Sequence, residues 1–106
     1  MATYEDFKKI EFRVGRIKEV NDHPNADRIY VVIVEMGDKT KQVIAGIKNF
    51  YTKEELVGRQ VVIVDNLDPA TLRGVESQGM LLAASDDEGM SIVTLDRPRK
   101  LGSVVK

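Results

Sequence analysis

The apolar residues of this chain come in short runs rich in Val and Ile, each closed off by turn-forming residues: Phe12–Val20, Ile29–Met36, Gln42–Ala45, Gln60–Val64, Met80–Ala84 and Ile92–Leu95. Runs this short and this β-branched predict strands and leave little material for a helical core. In the first run Phe12 and Val14 share one parity and Ile17 has the other, so a bulge or sharp coil is expected around Gly15-Arg16. Met36-Gly37-Asp38-Lys39 and Asp86-Asp87-Glu88-Gly89 read as hairpin closures. Thr52-Lys53-Glu54-Glu55 has the spacing of a capping box, and Gly58 ends the helix it starts after a short span. Residues 66–74 are too polar and too punctuated for a strand and are expected as a loop laid over the body of the protein.

The order is three strands, one short helix, a fourth strand, an irregular segment and two more short strands. It fits an all-β fold, a single five-stranded Greek-key barrel of the oligonucleotide-binding (OB) type with one short helix between strands 3 and 4. Other small barrels share this pattern. At 106 residues, one domain spanning 1–106 and one core are expected. The chain contains no cysteine, so disulfides and zinc–thiolate sites are excluded. Its first residues lack the apolar core of a signal peptide, and no stretch approaches the roughly 18 apolar residues of a membrane span, so a cytoplasmic protein is expected.

Little in the sequence supports catalysis. The single histidine, His23, precedes Pro24-Asn25 and reads as part of a turn; one histidine cannot assemble a metal or acid–base site. Ser77 has no base partner in sequence, the Glu54-Glu55 pair is explained by the helix start, and the glycines are too scattered for a phosphate loop. No catalytic residue, metal or cofactor is therefore expected. A formal net charge of −1 argues against a general polyanion binder, yet the charge is uneven. Residues 7–60 hold 11 Lys+Arg against 8 Asp+Glu, and residues 61–106 hold 5 against 7. Arg13, Arg16, Lys18, Arg28, Lys41, Lys48 and Lys53 fall on or beside the first three strands and the helix start, where such barrels bind oligonucleotides; ordinary solvated surface charge fits them equally well. Phe7, Phe12 and Phe50 look like core, and the three tyrosines like core or rim. So few stacking groups favour recognition of a folded RNA by shape and backbone.

Five ordered motifs carry a resemblance: Phe12-Arg13-Val14-Gly15-Arg16-Ile17, the stretch from His23 to Tyr30, Val43-Ile44-Ala45-Gly46-Ile47, the stretch from Phe50 to Arg59, and the stretch from Leu72 to Met80. In order, from about residue 7 to the C-terminus, they resemble the tRNA-binding domain appended to methionyl-tRNA synthetases. The same domain occurs in free-standing structure-specific tRNA-binding proteins, in multisynthetase cofactors and in the chaperone CsaA. The resemblance implies a non-catalytic, homodimeric OB barrel that holds tRNA by its shape and backbone in translation. It could serve as a separately encoded β subunit of methionyl-tRNA synthetase, with the catalytic subunit as partner. Carried over by position, it assigns RNA contacts to Arg13, Arg16, Arg28, Ser77 and Met80, with Lys18, Lys41, Asn49 and Arg73 as further candidates. Asp68 and Thr71 stand where family members often carry lysine, which thins the basic rim. The dimer interface is expected from residues 96–105 together with residues 1–10. The alternatives are a CsaA-like peptide-binding chaperone and a docking module of a synthetase complex.

Overall fold

A barrel built from short strands has to satisfy the backbone along its two outer edges, and the way this chain does so determines its architecture. The computed structural model describes residues 1–106. In chain order the elements are α1 (Tyr4–Lys8), β1 (Phe12–Asp22), β2 (Tyr30–Glu35), β3 (Thr40–Ala45), α2 (Lys53–Leu56), β4 (Gln60–Val64), β5 (Ala70–Leu72), β6 (Val75–Ser77), β7 (Met80–Leu81), β8 (Ala83–Asp86), β9 (Gly89–Ile92) and β10 (Val104–Val105). The antiparallel path β3-β2-β1-β4-β7 curls into a nearly closed five-stranded barrel, with β10 added beside the start of β1. The expected all-β OB-like barrel is observed, as is the expected helix between the third and fourth strands. That helix, α2, carries the full capping box: Thr52 accepts from the Glu55 N–H and Glu55 accepts from the Thr52 N–H.

The core lines the inside of the barrel with Ile17, Val20, Tyr30, Val32, Val34, Val43, Val61, Ile63 and Leu81, closed at one end by Leu56 and Ile47. Facing residues of an antiparallel pair share a side. Arg13, Gly15 and Ile17 therefore lie on the inner face opposite Ile63 and Val61, and the alternation runs unbroken through Gly15-Arg16. The irregularity lies later, between Ile17 and Glu19, where Lys18 is the extra residue that turns Val20 back into the core. Phe12 and Val14 are apolar for a different reason. The C-terminal segment crosses the outer face of β1, with Val14 N–H donating to Ser103 and Gly102 N–H donating to Val14. Gln60 ties the segment down through reciprocal bonds with the Arg99 backbone, and Val14, Val62 and Val64 are buried outside the main core.

Three further sequence expectations are corrected. Residues 70–72 are not loop: β5 pairs with β6 in a hairpin turned by Arg73 and Gly74, both at positive φ (49° and 87°). Its β5 residues are all exposed, so polarity is no obstacle to pairing. A second helix, α1, precedes β1, capped by Thr3 and Asp6 and only five residues long. Phe7 and Phe50 are half-exposed and not core; Phe7 stacks on Phe12 with ring centroids 5.7 Å apart. No helix is long and apolar enough to cross a membrane.

Asp65, at the end of β4, is the charge node of the barrel. It is 5% exposed, and its carboxylate meets Lys41 at 2.7 Å, Lys39 at 2.9 Å and Arg13 at 3.5 Å. Burial works to raise this carboxyl, but the hydrogen bonds from Lys41 and Lys39 outweigh it and hold it below the usual aspartate range. Such a group stabilises the fold above its unfolded value, near 3.9, and the contribution is lost as the pH falls through the folded one. Asp65→Asn should therefore cost about 3 kcal/mol at neutral pH, read as a lower urea midpoint, because it strands three cations beside an amide. The loss should shrink when the same unfolding is measured at about pH 3, where the wild-type carboxyl approaches protonation.

Candidate nucleic-acid interface

The segment Glu76-Ser77-Gln78-Gly79-Met80 runs along the otherwise unpaired edge of β3 and closes the barrel with side chains where a regular ladder is lacking. Gln42 N–H donates to Gln78 Oε1 at 2.9 Å, Gln78 N–H donates to Gln42 O at 2.7 Å, and Ile44 N–H donates to Ser77 Oγ at 3.0 Å. The Ser77 hydroxyl then donates to Gly79 O at 3.0 Å. Gly79 permits the close approach, since a Cβ there would stand 2.9 Å from Val64 O. Ser77, expected on the ligand face, is 7% exposed with its hydroxyl occupied on both sides. Met80 instead begins β7 with its side chain outward at 46% exposure, while the next residue, Leu81, enters the core.

The other candidates separate into groups. Arg13 and Lys41 come together, but around Asp65; Lys41 also donates to the backbone carbonyls of Asp65 and Gln78, and Arg13 to that of Gly102. Both are consumed by the frame. Arg28, Arg73 and Asn49 lie at the opposite end of the barrel, about 20 Å away along β2. Arg16 and Lys18 are exposed midway along β1, with Arg16 beside Glu35 and Gln60 and Lys18 at the bulge. None of the nine ion pairs of the chain involves Arg16, Lys18, Arg28 or Arg73.

Two of these free cations share a cavity. Arg28 and Arg73, with Asn25, Ala26, Asp27 and Ile29, line a hollow of about 360 Å³ between the β1–β2 loop and the tip of the β5–β6 hairpin. The tip is tethered there: Asn25 Nδ2 donates to Arg73 O at 3.0 Å, and Arg73 Nη1 reaches Asn25 O at 3.4 Å. Two guanidiniums with a single carboxylate among the lining residues suit a phosphate, which each arginine can fork onto. Nearby, Asn49 and the half-exposed Phe50 line a second hollow with Lys48 and Lys53, both of which are paired to Asp22 at 3.1 and 3.3 Å. Hydrogen bonds from Lys48, then Lys53, hold the Asp22 carboxyl below its ordinary range. Sequence reasoning missed Asn25 and Phe50. The Arg73-Gly74 pair, a residue that can turn followed by glycine, was the available signal for the hairpin that brings Arg73 to Arg28. No group of His, Asp or Glu side chains is arranged to hold a metal ion.

A family model described as "Putative tRNA binding domain" matches residues 12–104. The methionine–tRNA ligase of Thermococcus kodakarensis is 54% identical over 105 residues, 99% of this chain and 14% of that protein. That of Pyrococcus furiosus is 53% identical over the same shares. The chain thus spans 14% of the length of these relatives. Among solved structures, a MetRS related protein from Pyrococcus horikoshii superposes with a TM-score of 0.92 at 28% identity, covering 100% of this chain and 98% of that one. The CsaA chaperone protein from Picrophilus torridus gives 0.93 at 34% identity, covering both chains completely.

Ser77→Ala would leave the Ile44 N–H and Gly79 carbonyl without their partner. It should lower stability by about 1–3 kcal/mol in urea unfolding, with the barrel still formed by circular dichroism. A variant as stable as wild type would show that the seam does not depend on this hydroxyl.

Proposed function

The chain belongs to the tRNA-binding domain family, and from that premise we propose that it is a non-catalytic module that grips folded tRNA by its phosphate backbone, with Arg28 and Arg73 as the central contacts. The observation that carries this reading is the pair of arginines, neither in an ion pair, that line one hollow. Arg16 and Lys18 extend the contact along β1, Asn49 offers an amide to a ribose hydroxyl, and Met80 gives an adaptable apolar contact to a base or sugar. Arg13, Lys41 and Ser77 serve the site indirectly, by holding Asp65 and the seam that closes the barrel.

In this reading the module works as a homodimer in the cytoplasm, delivering tRNA to a methionyl-tRNA synthetase catalytic partner, either as its β subunit or in trans. The termini supply the dimer surface. Tyr4, Phe7, Ile10 and Val104 are exposed around an apolar hollow of about 430 Å³ between α1 and β10, with Tyr4 at 71% and Val104 at 60% exposure. Pairing there would cover this surface and present two tRNA contacts at high effective concentration. A peptide-binding role is the second reading, favoured by the exposed Leu72 and Met80 and by the likeness to a CsaA chaperone protein.

Arg28→Glu should weaken tRNA binding by about tenfold or more, as should Arg73→Asn, which keeps a residue tolerant of the left-handed turn. Unfolding midpoints should be unchanged. Undiminished affinity in both variants would overturn the placement of the site, and retained peptide binding would then favour the second reading. By light scattering the protein should have about twice its 11.9 kDa monomer mass, and Val104→Asp should halve it. A dimer that persists in the variant would move the interface elsewhere.

A further inference from the structure

His23 belongs to the same end of the barrel but has no role in the contacts just described. It is 4% exposed, the only histidine, and both ring nitrogens are engaged. Nδ1 accepts the Asn25 backbone N–H at 3.0 Å. A neutral imidazole has one acceptor and one donor nitrogen, so Nε2 carries the proton and donates to Leu72 O at 2.8 Å. One ring therefore joins the β1–β2 loop to the β5–β6 hairpin, one residue before the turn that carries Arg73. Without it the only hydrogen bonds from the tip to that loop would be those between Asn25 and Arg73, one of them long at 3.4 Å. The turn also places Arg73 at φ 49°, a conformation that costs a non-glycine residue energy and needs outside support.

We propose that His23 is a positioning residue for tRNA binding: its neutral ring latches the β5–β6 hairpin so that Arg73 stands against Arg28. The proposal rests on the assignment of Arg28 and Arg73 as phosphate contacts. The ring itself, buried under the hairpin, touches no ligand and acts only through Arg73.

Two substitutions divide the two bonds of the ring. His23→Asn keeps an oxygen in the place of Nδ1, which preserves the bond from Asn25 N–H in an Asx turn, but it is too short to reach Leu72 O. His23→Gln extends an amide N–H toward Leu72 O. His23→Asn should weaken tRNA binding about fivefold, the effect of one lost hydrogen bond, and speed amide hydrogen exchange at Gly74 and Val75; His23→Gln should recover most of both. In an Arg73→Asn background, His23→Asn should weaken binding no further, since the two act as a unit. Equal losses in the Asn and Gln variants, or additive losses with Arg73→Asn, would overturn the latch and assign the ring a packing role alone. Faster exchange in His23→Asn with undiminished tRNA affinity would also overturn the positioning role, and would trace the failure to Arg73 as a contact, because the latch itself would have been seen to open.

Discussion

The free edge of β3 governs how this barrel is put together. A five-stranded path leaves the outer backbone groups of its last strand without a partner, and in so small a protein an unpaired edge both costs stability and invites association. Here the edge is answered by a short irregular segment whose Gln78 and Ser77 side chains stand in for ladder bonds, with Gly79 making room for the backbone to approach. Because residues 76–79 are committed to the seam, the hairpin that precedes them must lie across the end of the barrel, over the β1–β2 loop. The position of Arg73, and so the shape of the hollow it shares with Arg28, follows from closure.

Charge is distributed by the same logic. A nearly neutral chain has few cations to give to a ligand, and this one commits Arg13, Lys39 and Lys41 to one buried aspartate and Lys48 and Lys53 to another, exposed one. The cations left free, among them Arg16, Lys18, Arg28 and Arg73, are spread along one strand and two loops and do not form a dense patch. Such a surface favours a rigid, folded backbone that presents phosphates at matching positions over a flexible strand that would have to be ordered on binding. In the proposed homodimer a second protomer would double these few contacts.

Much of the architecture was legible in the sequence, for physical reasons that can be named. Strands built from Val and Ile runs, and a helix announced by Thr52 and Glu55, depend on local preferences that tertiary packing did not override. The parity change after Val14 was real but misread: apolar residues on both faces of β1 reflect a C-terminal segment covering the outside, which no local pattern reveals. The β5–β6 hairpin was hidden because its exposed β5 residues have no hydrophobic alternation to display, and α1 because five residues are too few for a helical period. For the candidate site, charge and family likeness nominated residues but could not sort them. Arg13 and Arg28 look alike in sequence, yet one is paired to a buried carboxylate and the other is free; Ser77 and Met80 are three residues apart, yet one faces into the seam and the other away from it.

The proposed function ties fold and charge together through a small number of cations that would read the backbone of a folded RNA. The decisive measurement is the affinity of the purified protein for tRNA across a range of salt concentrations, beside an unstructured RNA of equal length. If Arg16, Lys18, Arg28 and Arg73 each neutralise a phosphate, log affinity should fall against log salt with a slope of about −3 per engaged protomer, and folded tRNA should bind more tightly at every salt concentration. A flat salt dependence, or equal affinity for the unstructured RNA, would contradict it.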